Sequence, residues 1–228
     1  MFLKHLRTNL KKFLLLLVFM LLISSSSQAQ KNYDKSFYGG LFYLTEYMTS
    51  DEYKQFSKTY NDLESVDHIY EKALLFFDGD LSETFFCLTF VFIPYNHIIV
   101  KLPLIGTNAR FPLPSPPQKV FNEKVLNTPK QLFFDSPQNN FGDKDKLAHF
   151  FANAFLRYSV SFFNLSEFLG IFVEYFEQGF FLQGGFDRRD LTANHLGELF
   201  AKMVYNNPRA KPSEALKIYQ LLFLRIYP

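Results

Sequence analysis

Three sets of polar side chains in the C-terminal half have the types and spacing for chemistry. Asp145 and His149 stand four apart, and Ala152 and Asn153 continue the same helical face. Gly170, Glu174, Glu177, Gln178 and Phe181 form a second line, and Asp190, Ala193, Asn194, Gly197 and Ala201 a third. Residues three and four apart are neighbours on a helix, so each line is a polar stripe that also holds a small residue. Small residues let helices approach closely, and Gly170 and Gly197 are the natural close-packing points. A narrow polar interior between three helices is the expectation.

Buried carboxylates must pair or change their pKa. Asp145, His149, Glu174, Glu177 and Asp190 would satisfy one another. Imidazole with carboxylates, His149 with Glu174 and Asp190, could hold a divalent metal such as zinc, iron or manganese. The same set could act as a general acid and base. Plainer roles stand beside these. Asp187 and Asp190 suit the N-cap and third position of a helix. Asp143 and Asp145 suit a helix N-terminus, Glu174 and Glu177 suit water, and His149 suits a structural hydrogen bond. His97 and His195 lie off the stripes. A zinc-protease helix, a G-x-S-x-G elbow and a phosphate-cradling glycine loop are all missing from the sequence. The one cysteine, Cys87, has no base near it in sequence and no disulfide partner.

The elements that carry the stripes follow from the pattern. Four helices are expected over Asp143 to Phe163, Leu165 to Leu182, Arg188 to Tyr205 and Ser213 to Ile226, divided by Asn164, by Gly184 and Gly185, and by Pro208 and Pro212. Short connections favour an antiparallel bundle. Arg157, Glu167, Glu174 and Glu177 interrupt every long apolar run, so these read as core helices rather than membrane spans. Upstream, Gly40 to Met48, a helix started by Thr49, Ser50, Asp51 and Glu52, and Ser65 to Phe77 read as helical. Glu83 to Pro94 and His97 to Leu104, rich in Phe, Val, Ile and Thr, read as a β-hairpin turning at Tyr95 and Asn96. The proline-rich segment Gly106 to Pro117 reads as neither helix nor central strand, and residues 118–142 as a linker or strap. The fold class expected is α+β, mainly α.

The N-terminus points to export. Lys4, Arg7, Lys11 and Lys12 precede the apolar run Phe13 to Ile23, and Ser27 and Ala29 stand where a signal peptidase takes small residues. The run is short of the roughly 20 apolar residues of a span. Removing Met1 to Ala29 takes four of the 24 basic residues and none of the 22 acidic ones, leaving 20 against 22 and a charge of −2. The basicity therefore belongs to the signal, and no basic patch argues for nucleic acid. Residues 30–117 then form an N-terminal helical region with its hairpin, and residues 143–228 the helical domain. With 30 Phe, 13 Tyr and no Trp, the chain has aromatic area for a core and for a surface facing lipid or a partner.

The runs Asp145-Lys146-Leu147-Ala148-His149-Phe150, Gly170 followed by Glu174 and Gln178, and Asp190 to Gly197 resemble the signature of VanZ-like proteins. They are most similar to a branch of envelope proteins with the pattern D-K-x-x-H-F, G-x-x-x-E and D-x-x-x-N-x-x-G. The matched positions are Asp145, Lys146, His149, Glu174, Asp190, Asn194 and Gly197. The family's best-known members are multi-span membrane proteins linked to glycopeptide tolerance. This chain departs from them in its signal peptide, its long N-terminal region and its lack of clear spans. The coincidence of the three stripes leads to the expectation of a cell-envelope protein whose VanZ-like helical domain uses Asp145, His149, Glu174, Asp190 and Asn194 to bind a lipid head, a glycan fragment or an ion. The partner expected is a membrane surface or another envelope component. A non-catalytic assembly factor is the rival reading. A hydrolase of envelope material, with Glu174 as base and His149 as acid, is a third.

Overall fold

The computed structural model describes residues 33–102, 107–159 and 188–223. Over these the protein is mainly helical, with one small antiparallel sheet. Its helices are α1 (Phe37–Thr49), α2 (Asp51–Thr59), α3 (Asp62–Phe76) and α4 (Leu81–Phe92), followed after the sheet by α5 (Gln118–Asn127), α6 (Lys146–Ser159), α7 (Arg188–Asn206) and α8 (Pro212–Lys217). A 3-10 turn, Ile218–Phe223, ends the described chain. The segment read as a signal, the second stripe with Gly170, Glu174, Glu177 and Gln178, and the helix expected around it lie outside the described residues.

Local signals start most helices. Ser50 caps α2 through its hydroxyl, with Asp51 and Glu52 in the first turn, as the run Thr49 to Glu52 predicts. Asn61 and Glu64 form a reciprocal capping box that begins α3 three residues before Ser65, the expected start. Asp78 at φ 53° and Gly79 at φ 88° turn the chain, and Asp80 accepts from the Glu83 N–H to open α4.

The stretch Glu83 to Pro94 is a correction. It is the body of α4, not a strand. Phe85, Cys87, Leu88, Val91 and Phe92 are all buried, and Phe85 alone has rings of Tyr70, Phe151, Tyr158 and Phe200 around it. A helix covered on several sides is apolar on several sides, and so loses the periodicity that distinguishes it from a buried strand. The hairpin exists one element later. β1 (His97–Leu102) pairs with β2 (Thr107–Pro112), His97 opposite Pro112 and Leu102 opposite Thr107. In a two-stranded sheet both strands are edges, which is where prolines are tolerated. Residues 118–142, read as a strap, open with α5, which packs on α1 and buries Phe121 and Lys124.

One hydrophobic cluster runs from Leu41 and Met48 of α1 through Val66 and Ile69 of α3 and Phe85 and Phe92 of α4 to Phe150 of α6, Phe200 of α7 and Leu216 of α8. The N-terminal helices and the polar-stripe helices thus share a core. The α6–α7 pair is held closest, because a Cβ on Gly197 would lie 2.0 Å from the Phe150 carbonyl oxygen.

Candidate functional site

The site begins with a turn only glycine can make. Gly142 has φ +57°, and a Cβ there would meet the Lys130 carbonyl oxygen at 2.5 Å. The Asp143 N–H donates to that same carbonyl at 2.9 Å, which sets Asp143, Lys144 and Asp145 at the N-terminus of α6. From the first turn of α6, Lys146 reaches across to the first turn of α7. Its ammonium lies 2.9 Å from Asp145 Oδ2 and 2.6 Å from Asp190 Oδ1, with its side chain 5% exposed. A carboxylate in the first turn of α7 is also favoured by the helix dipole.

His149 stands one turn along α6. Its Nε2 is 3.6 Å from Asp190 Oδ1, and its side chain is 43% exposed. The imidazole is therefore at the rim of the cluster rather than shielded within it. Further along, the Asn153 amide donates to Asn194 Oδ1 at 2.7 Å and to the His149 carbonyl at 3.0 Å. Both asparagines are buried. Two of the three stripes thus do meet, directly through Asn153–Asn194 and through Lys146, which bridges Asp145 to Asp190. His195 is exposed, and the His97 ring bonds its chain neighbour Asn96 at 2.8 Å.

Two members escaped the sequence reading. Asp143, taken as a helix-terminus acid, is wholly buried. Ser136 donates its hydroxyl to Asp143 Oδ2, and Arg189 lies 3.2 Å from Oδ1. Burial pushes its carboxyl pKa up, against the Ser136 hydrogen bond and the Arg189 charge, which pull it down. The signal available was Arg189 beside Asp190, but nothing local says which acid it meets. Tyr95, read as a hairpin turn residue, sits in the field of the cluster. Its phenol pKa is raised by burial first, then by Asp145 and Asp190, with Lys146 opposing.

Asp145 leaves one atom unaccounted for. Its Oδ1 is buried and, among the described residues, accepts no hydrogen bond. Native proteins rarely leave such an acceptor empty. Among the described residues no group of three or more His, Cys, Asp or Glu is arranged to hold a metal ion. His149 and Asp190 are neighbours, and Glu174, the third ligand suggested by sequence, lies outside the described residues. Compared with protein-family models, curated proteins and solved structures, the chain matches none. The chemistry present is an ammonium between two carboxylates, with an imidazole at the surface beside them. Such a set offers acceptors to hydroxyl or ammonium donors.

Proposed function

We propose that this chain is an exported cell-envelope protein whose residues 143–228 form a VanZ-like antiparallel helical bundle, and that its polar cluster binds a polar group. That group is a lipid head, a glycan fragment or an ion. The observation that carries this reading is Asp145 Oδ1, a buried acceptor with no donor among the described residues, in a cluster whose His149 opens to the surface. A ligand donor seated there would satisfy the carboxylate, while the Lys146 ammonium holds Asp145 and Asp190 in place. No helix among the described residues is long and apolar enough to cross a membrane.

The test is binding to purified protein of lipid vesicles, envelope glycan fragments and divalent ions, each measured by calorimetry. Asp145→Asn and His149→Ala should abolish whichever signal is found and keep the melting cooperative. Loss of the fold in both variants would point to the rival reading, a structural or assembly factor. That reading has its own support in the Gly197–Phe150 approach and the buried Asn153–Asn194 pair, since buried polar contacts can specify packing at a cost in stability. Equal hydrolysis of lipid and peptidoglycan by wild type and Glu174→Gln would retire the hydrolase alternative. Carbonate washing of fractionated membranes tests the envelope location, which a purely cytosolic pool would overturn.

A further inference from the structure

A second candidate site shares no residue with the Lys146 cluster. Between α2 and α3 runs an open groove of about 380 Å³, within the size range of small-molecule sites. Glu52, Gln55, Phe56 and Thr59 of α2 fall at helical spacing on one face and line it. Its wall is a stack of three rings. Phe56 lies 4.1 Å from His68 at 15°, and Tyr60 lies 4.4 Å from Phe56 at 25°. Tyr60, the outermost ring, is 48% exposed. A flat apolar face is thereby held in water by two rings beneath it.

The charges of the groove narrow what could rest on that face. The Lys72 ammonium sits 4.7 Å over the Tyr47 ring and 3.2 Å from Glu52. A ligand cation would find the Tyr47 ring of the groove already occupied by an internal cation, and a ligand anion would meet Glu52. His68 is kept neutral, because burial and then Lys72 pull its pKa below the usual imidazole value. The groove is thus close to uncharged. Its rim still offers hydrogen bonds. Among the described residues the Gln55 amide has no hydrogen-bonding partner, and the Thr59 hydroxyl donates to the Gln55 carbonyl at 3.1 Å, leaving its lone pairs open. A neutral molecule with one flat face of C–H bonds and hydroxyls at its edge meets all of these conditions.

We propose that this groove binds a neutral pyranose ring, stacked on Tyr60 over Phe56, with Gln55 and Thr59 taking its hydroxyls. Amide NMR spectra of the purified protein, titrated with chitotetraose, cellotetraose and maltotetraose, test it. Sorbitol, which has hydroxyls but no ring face, and choline, a cation, are the controls. At least one tetrasaccharide should give saturable shifts confined to α2 and α3, with neither control doing so. Tyr60→Ala should weaken that binding at least about tenfold and Tyr60→Phe leave it within about twofold, since stacking follows the ring and not the hydroxyl. Gln55→Ala, at an exposed position, should weaken it by about threefold or more, the loss of one hydrogen bond. No saturable response to any of the three sugars overturns the proposal. So does a response that survives Tyr60→Ala unchanged, or one that sorbitol or choline reproduces.

Discussion

Lys146 and Asp190, 44 positions apart in the chain, meet at 2.6 Å between the first turns of α6 and α7. Asp145 shares the same ammonium at 2.9 Å. Lys146→Met keeps the length of the side chain but leaves two part-buried carboxylates without that counter-charge. Breaking a fully buried pair costs about 3–5 kcal/mol; with the carboxylates 22% and 28% exposed, a loss of about 2 kcal/mol is expected. Urea unfolding of Lys146→Met, Asp190→Asn and the double variant measures it. A double variant no more stable than the sum of the single losses would show that the two residues are not coupled.

Gly197 and Gly79 are glycines for different reasons, and alanine separates them. At Gly197 the new Cβ would lie 2.0 Å from a backbone oxygen of α6. The helices must part, at a cost of about 3 kcal/mol. At Gly79 nothing lies within 4 Å, and only φ +88° resists a side chain, at about 1 kcal/mol. Denaturant midpoints should therefore fall further for Gly197→Ala. The reverse order would contradict the close approach.

Lys124 predicts a pH dependence. Its side chain is buried with no carboxylate paired to it among the described residues, donating to the carbonyls of Val91 and Ile93 at 2.8 Å each, where α4 ends. Burial, and then Lys144, pull its pKa down from 10.5 to about 7. The unfolded chain keeps this proton up to the ordinary lysine range, so between about pH 7 and 10 the unfolded state binds more protons than the native one. Stability must rise with pH across that window and be lowest below it. Unfolding free energies at successive pH values should climb by up to about 1.4 kcal/mol per unit from this group. Lys124→Met should flatten the climb. An unchanged slope in the variant would assign it to other groups.

Cys87 should be silent in the native state. It is fully buried in α4, and burial pushes its thiol pKa far up. Because the thiolate is the reactive form, iodoacetamide at mildly alkaline pH should label the folded protein only as fast as it unfolds. Addition of denaturant should make labelling complete. Rapid labelling of the native protein would show that α4 opens locally.

Local chemistry along the chain determined a good part of this protein. The cap of α2, the helical spacing of Asp145, Lys146, His149 and Asn153, and the line Asp190, Asn194 and Gly197 are visible because a helix places neighbours by a fixed period. The mainly helical class follows from the same rule. The tertiary structure decided which members of each face matter. Lys146, a matched position outside the first polar stripe, is the hub, while His149 is left at the rim. Asp143 became a buried partner of Arg189, and Tyr95 came to face the acids. The apolar run of α4, legible as a strand, became a helix because it is enclosed on several sides. Periodicity reports the face a residue occupies on its own element. Burial, pairing and field depend on the element placed opposite, and no residue within the helix specifies that one alone.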